Sequence, residues 1–276
     1  MAHGRCMTFQ VPEERLPLPS LKRRLANWVE RKANFVILRE GQAHLLPERL
    51  HLRRFFKYFG VDCVFDVGAN AGQYALEIRH GVGFAGPIIS YEPVPELAEA
   101  LRKLARRDPD WHIEECALDR EAGPATFHIM AADVFSSLNR PADDQPAIFD
   151  GMNYVAREVE VMRSTLAIEA PRWREKLNFR RPFLKLRAQG SDLAVVLGAG
   201  ESIKAFVGLQ SELPVRKIYA GSSSFGEMLA TYEERGFELS AFTQQLANTA
   251  SHFPTLLQTD CIMFRRDAER IGAAPA

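Results

Sequence analysis

The chain has 276 residues, 46% of them hydrophobic and 25% charged, enough to bury one large α/β core beneath a polar surface. Its 35 basic and 35 acidic residues cancel, so no global field draws nucleic acid or an anionic membrane, and neither is expected as a partner. Cys6, Cys63, Cys116 and Cys261 form no CxxC pair, and no apolar run reaches about 18 residues, which argues against a zinc or disulfide framework and a membrane span. The first ten residues carry no long apolar run either, so no signal peptide is expected and a cytoplasmic location is the default.

Met1 to Pro19 bears several prolines and reads as irregular. Ser20 caps a predicted helix over Leu21 to Val36, and a second helix runs from Pro47 to Tyr58. The basic residues His51, Arg53, Arg54 and Lys57 on it read as a solvated face rather than a phosphate site. Residues 1–59 thus form an expected N-terminal helical extension, followed by a sheet domain over 60–271 and a fraying tail over 272–276.

The regular pattern begins at Cys63. Cys63 to Val67 is a short apolar strand with an acid near its exit, followed by a glycine-bearing turn and a helix from Gln73 to Arg79. Ile88 to Glu92 is a second strand ending in an acid. Pro93 and Pro95 open a helix whose Leu97, Leu101 and Leu104 recur at helical spacing, and Trp111 to Ala117 makes a third strand. This alternation predicts a Rossmann-like α/β domain, a parallel sheet with right-handed crossovers and helices on both faces.

Gly123 to Met130 reads as a further strand, Ala131 to Val155 as a loop over the site, and Glu158 to Met162 as an edge strand. Phe183 to Leu186 is a central strand, followed by Gln189-Gly190 and a helix through Leu197. A strand over Lys204 to Leu209 leaves Gln210 and Glu212 at its end. A helix over Ser224 to Arg235 and strands over Phe237 to Phe242 and Thr259 to Phe264 complete the domain.

The turn Asp66-Val67-Gly68-Ala69-Asn70-Ala71-Gly72 carries the most chemistry. Gly68 and Gly72 allow a tight strand-to-helix turn against a ligand, and such a turn is expected to present free N–H groups. A dinucleotide fingerprint demands a second glycine where Asn70 stands, so S-adenosylmethionine is the better match. Its amino-acid part would use the turn amides, with Asp66 or a bound water meeting the ammonium group. Glu92, at the next strand end, would accept hydrogen bonds from both ribose hydroxyls. Ala117 and Leu118 would line the adenine slot, with Asp119 or a nearby backbone group reaching the polar edge of the base; core packing explains the first two nearly as well.

These blocks resemble the FkbM-type S-adenosylmethionine-dependent methyltransferase family. The likeness runs from about Phe56 to Arg266, through Val64 to Tyr74, Ile89 to Pro93, Cys116 to Leu118, Ser136-Ser137-Leu138, Leu184-Lys185-Leu186, Gln189-Gly190, Leu209 to Glu212 and the strand at Asp260. It implies a class I methyltransferase fold, a seven-stranded mostly parallel sheet with one reversed strand near the end. It also implies methyl transfer to a hydroxyl oxygen of a sugar, polyketide or other small polar metabolite. One position departs from the family pattern: Arg187 stands where an aspartate is usual.

Hydroxyl methylation benefits from a general base. Glu212 is the candidate, with Lys185 orienting it or stabilising the alkoxide, and pairing of Glu212 with Lys185 or Arg187 is the structural alternative. His128 and Asp133 stand as further approaches to the site, and an amine acceptor would need deprotonation too. Two cations at one strand mouth point to an anionic group on the acceptor, bound by Arg187; an internal ion pair explains Arg187 equally well. No metal ligand set is expected. A noncatalytic cofactor-binding or interaction protein on the same fold remains the alternative, and the oligomeric state is open.

Overall fold

The structure is a computed structural model that describes residues 45–243 and 256–270. The chain divides into two units, Met1–Ala43 and His44–Ala276, and the described residues belong to the second. The predicted helix over Leu21 to Val36, Cys6 and the tail over 272–276 lie outside the described residues.

Helix α1 (Leu46–Phe59) carries Pro47 in its first turn and ends at Gly60 in the left-handed region, whose N–H donates to Phe56 O. Its buried face of Arg49, Leu52, Phe55 and Phe56 follows helical spacing. Phe55 and Phe56 stand 5.4 and 5.1 Å from the ring of Phe183. α1, grouped in the sequence reading with the N-terminal extension, therefore packs as part of the sheet domain. Arg54 and Lys57 are exposed, while Arg53 donates to Gly81 O at 2.6 Å.

Five strands lead to the site: β1 (Cys63–Val67), β2 (Ile88–Tyr91), β3 (Trp111–Glu114), β7 (Pro182–Leu186) and β8 (Gly208–Pro214). With β9 (Phe237–Thr243) and β10 (Gln258–Arg265) they form one sheet in the order β3-β2-β1-β7-β8-β10-β9. All pairs from β3 to β8 are parallel, and β10 runs antiparallel to both β8 and β9. This is the seven-stranded class I methyltransferase architecture, with β10 as its reversed strand.

β1, β2 and β7 are buried along their whole length, as strands covered on both faces must be. Alternate residues sort to opposite faces. Cys63, Phe65 and Val67 join α4 (Leu166–Leu177), α5 (Asp192–Gly198) and α6 (Phe225–Glu234), whereas Val64 and Phe183 join α1, α2 (Gln73–Glu77) and α3 (Pro95–Ala105).

A second sheet, in the order β4-β6-β5, consists of β4 (Ala117–Leu118), β5 (Gly123–Met130) and β6 (Val155–Ser164). The expected strand over Trp111 to Ala117 is therefore two strands in two sheets, because the chain leaves β3 at Glu114 and pairs again with β6. The expected edge strand at Glu158 to Met162 is the middle strand of this smaller sheet.

Three further expectations change. The helix after the glycine turn ends at Glu77 and passes into a π-helical turn over Ile78–Val82. Helix α4 occupies a stretch to which the sequence assigned nothing, capped by Thr165 and ended by Asn178 in the left-handed region. The strand expected over Lys204 to Leu209 begins only at Gly208, after a 3₁₀ turn over Gly200–Ala205. A Cβ at Gly208 would lie 2.4 Å from Phe55 and 2.6 Å from Met263 O, so the strand enters the sheet where α1 presses closest. β8 then continues to Pro214 because β10 pairs with it that far. Glu212 thus lies inside a strand, one residue beyond the last residue of β8 that pairs with β7.

Candidate active site

The C-terminal ends of β1, β2 and β7 open onto a cavity of about 550 Å³, a size typical of small-molecule sites. Gly68, Asn70, Tyr74, Glu92, Lys185, Arg187 and Glu212 stand on its wall. Ala117, Leu118 and Phe127 of the second sheet face them, with Phe135, Phe149 and Met152 from the segment between β5 and β6. That segment is the expected loop, with two 3₁₀ turns, and is fastened near the site where Ser137 Oγ donates to Gln189 O at 2.6 Å.

The glycine turn is shaped by close approach. Gly68 has φ 73°, and a Cβ there would lie 2.1 Å from Arg187 O, so the chains leaving β1 and β7 pass at a distance only glycine permits. Gly72 (φ 82°) is off the cavity wall, and its missing Cβ would press on Leu101 and Trp111.

The amides from Gly68 to Gly72 are all engaged within the protein. Gly68 N and Ala69 N donate to Tyr91 O at 3.1 Å, and Asn70 N to Glu92 Oε2 at 2.8 Å. Ala71 N donates to Asn70 Oδ1 at 2.6 Å and Gly72 N to Ala69 O at 2.8 Å. The neighbouring strand end and the turn's own acceptors satisfy these donors, as buried backbone requires. Glu92 therefore shapes the turn as well as facing the cavity. Its other oxygen accepts from Val94 N at 3.0 Å. Burial pushes the Glu92 carboxyl up to about 7, against these two N–H groups that favour its charge.

Asp66 lies away from the cavity. It is wholly buried and paired with Lys185, whose Nζ donates to Asp66 Oδ1 at 2.9 Å. The two are direct neighbours in the β1–β7 ladder. Ser90 Oγ donates to the other oxygen at 3.0 Å and itself accepts from Trp111 Nε1 at 2.9 Å. Lys185 Nζ also reaches Val67 O at 3.3 Å and Gly68 O at 3.2 Å. Its three donors are thereby committed, so Lys185 locks the glycine turn in place and is not held ready for Glu212 or an alkoxide.

Arg187 is likewise engaged inside the protein. Its Nη2 donates to Asp260 Oδ2 at 2.7 Å, and its Nε stands 3.7 Å from Glu212 Oε1. This is the internal ion pair that the sequence offered as the alternative to an anionic acceptor, and Arg187 also stands on the cavity wall. Asp192, the first residue of α5, is buried and accepts from Ala188 N, Ser211 Oγ and Glu212 N. Asp119 pairs with Arg163 at 2.7 Å and is not on the wall. His128 is also off the wall, whereas Asp133 lines it.

Glu212 accepts from Gln258 Nε2 at 2.7 Å. Burial pushes its carboxyl up to about 7; Arg187 opposes that rise, and Asp260 and Asp192 reinforce it. Two wall residues carried no clear sequence signal. Gln258 reaches Glu212 only through the β8–β10 register, and Tyr74 presents a buried hydroxyl without a hydrogen-bond partner among the described residues.

The family model of the methyltransferase FkbM domain matches residues 66–239, more than half of the chain. The chain belongs to the FkbM methyltransferase family. Its cofactor is S-adenosylmethionine. Among solved structures this FkbM chain is similar to methyltransferase FkbM from Methylobacillus flagellatus KT, with 16% identity and a TM-score of 0.42 over 74% of this chain and 43% of that one. It thus spans less than half the length of that protein. It is also similar to magnesium protoporphyrin IX methyltransferase from Synechocystis PCC 6803 with bound SAM, with 6% identity and a TM-score of 0.41 over 88% and 96% of the two chains. A third likeness is to Aeropyrum pernix fibrillarin with natively bound S-adenosyl-L-methionine, with 11% identity and a TM-score of 0.38 over 73% and 66%. No curated protein matches by sequence. Among the described residues no helix is long and apolar enough to cross a membrane.

Proposed function

We propose that this protein transfers the methyl group of S-adenosylmethionine to a hydroxyl oxygen of a small polar metabolite, with Glu212 as general base. The observation that carries this reading is the Glu212 carboxylate, on the wall of the same cavity as Glu92 and the glycine turn.

The lining suits the cofactor. Val94, Leu97, Ala117, Leu118 and Phe127 make an apolar slot for the adenine ring. Glu92 uses one lone pair of each oxygen on Asn70 N and Val94 N, which leaves further acceptor capacity for the ribose hydroxyls. Gly68 and Asn70 border the amino-acid part, where the unpartnered Tyr74 hydroxyl gains a partner. When bound, S-adenosylmethionine supplies an electrophilic methyl group. Glu212 Oε1 is held by Gln258, and Oε2 is the atom assigned to take the acceptor's hydroxyl proton. A base near 7 is matched to neutral pH, and placing it beside the acceptor supplies orientation. An anionic acceptor forms no part of this proposal.

Labelled methyl transfer to a panel of sugar and polyketide alcohols, matched amines and RNA tests the reading. Label recovered in a methyl ether supports it. Label recovered only on nitrogen or in RNA, or cofactor binding with no transfer across the panel, overturns it.

The cofactor half has its own test. Glu92→Gln is expected to weaken S-adenosylmethionine binding about tenfold or more, because charge-assisted hydrogen bonds contribute roughly 1.5–3 kcal/mol. A carboxyl with a value of about 7 is charged above that pH and neutral below it. Wild-type affinity should therefore fall as pH drops through about 7, and the variant's should stay flat. Calorimetry on the folded proteins reads both, and equal affinities at high pH would remove Glu92 from the ribose site.

A further inference from the structure

Glu212 and Asp260 lie directly opposite each other in the antiparallel β8–β10 ladder, so their side chains leave the same face of the sheet. Two like charges at facing positions destabilise a strand pair unless a cation neutralises them. Arg187, arriving from the end of β7, is that cation, and it divides itself unequally. It hydrogen-bonds Asp260 at 2.7 Å but stays 3.7 Å from Glu212, outside hydrogen-bond range. The Asp260 side chain is 2% exposed and the Arg187 side chain 29%, so the buried carboxylate anchors a guanidinium that borders the cavity.

The division matters for chemistry. An arginine seated on Glu212 would form a charge-assisted pair, stabilise its ionised form and remove its tendency to accept a proton. We propose that Asp260 is a positioning residue for methyl transfer, drawing the Arg187 guanidinium onto itself and so leaving Glu212 able to take the acceptor's proton. The proposal rests on the reading of Glu212 as the base.

Among the described residues, the Tyr74 hydroxyl faces Arg187 and Asp260 without a hydrogen-bond partner, and the other charged and titratable groups around Glu212 have partners of their own. Lys185 of β7 is tied to Asp66, and Asp192 of α5 accepts from Ser211 and from the backbone of Ala188 and Glu212. Tyr219, in the segment after β8, donates to Gln189 Oε1 at 2.8 Å. Glu48 of α1 faces Arg187 and accepts from Gln210 and Thr243. Burial holds Glu212 up at about 7 in spite of Arg187, as an incompletely paired carboxylate requires.

The pH dependence of kcat in the labelled methyl-transfer assay tests the arrangement. Asp260→Asn keeps the shape and removes the charge that holds Arg187, so the guanidinium turns to Glu212. The acid limb should move down by about one pH unit or more, with a lower plateau rate. Arg187→Gln removes the guanidinium and leaves two facing carboxylates, so the limb should move up by about as much. Shifts of opposite sign support the proposal, whereas a purely structural role would lower stability in both variants and leave the limb where it is.

Calorimetric S-adenosylmethionine binding identifies folded protein. Should Asp260→Asn not fold, Arg187→Gln decides alone, and a limb that stays or moves down overturns the proposal. Glu212→Gln separates the two ideas. A variant that keeps wild-type kcat and its acid limb would remove the base, and Asp260's role with it. Loss of both, with the limb unmoved in the other two variants, overturns the Asp260 proposal alone.

Discussion

Glu212→Gln is expected to lower kcat for methyl transfer by about 10²- to 10⁴-fold, the usual contribution of a positioned general base. The substitution keeps the size of the side chain, and its amide oxygen can still accept from Gln258 Nε2. Asp192 continues to hold the backbone N–H of residue 212 at 3.1 Å, so the local fold and the cofactor wall are retained. What disappears is the atom that takes the proton. Affinity for S-adenosylmethionine, read by calorimetry, should therefore change little while turnover collapses.

The pH behaviour follows from the same carboxyl. In the wild type kcat should rise as pH passes upward through about 7, because only the ionised form is a base. Stability moves the opposite way. The folded protein keeps a proton that the unfolded chain releases at an ordinary carboxyl value, so stability present at low pH is lost as pH rises through about 7. Denaturation midpoints across that window should slope less in Glu212→Gln than in the wild type. An unchanged kcat in the folded variant would end the assignment of Glu212.

The second large effect belongs to the turn. Gly68→Ala should destabilise the protein by more than about 2 kcal/mol and weaken cofactor binding at least tenfold. Alanine at φ 73° carries the left-handed penalty of any L residue, and its Cβ would sit 2.1 Å from Arg187 O and 2.8 Å from Arg187 C. Backbone cannot rotate aside as a side chain does, so β1 and β7 must part at the mouth of the cavity. Lys185, which grips Gly68 O at 3.2 Å, would move with them. Gly83 supplies the control. It has φ 84° but no atom within 4 Å of the place a Cβ would take, so Gly83→Ala should cost only the conformational part, about 1–2 kcal/mol. Equal denaturation midpoints for the two variants would show that the close approach at Gly68 contributes nothing.

Much of the framework was legible along the chain. Cys63 to Val67 and Ile88 to Tyr91 declare themselves as strands because short apolar runs bounded by turn residues are local patterns. The chain breaks at Gly68 and Gly72 for reasons equally local, both lying at positive φ. Helix α4 escaped because Pro171 stands inside it, a residue that ordinarily argues against a helix interior. The start of β8 was misplaced because Lys204 to Phe206 carries apolar residues yet forms the end of a 3₁₀ turn. The strand enters the sheet only where Gly208 pairs with Phe183 of β7 and Phe264 of β10, a tertiary register that no local pattern records.

The sequence by itself determined the parallel core, the reversed strand that goes with the family, the glycine turn and the acid that follows it at Glu92. The reversed strand came from the family resemblance; the others follow from periodicity, turn chemistry and the order of elements along the chain. Only the tertiary structure decided which polar groups face the cavity and which satisfy one another. Asp66 and Lys185 are 119 residues apart, and Arg187 and Asp260 are 73 apart. Whether such groups meet depends on strand order and ladder register, which no local pattern records. A buried charge must find its partner across the sheet, so the pairing of these four side chains could be read only once the strands were in place.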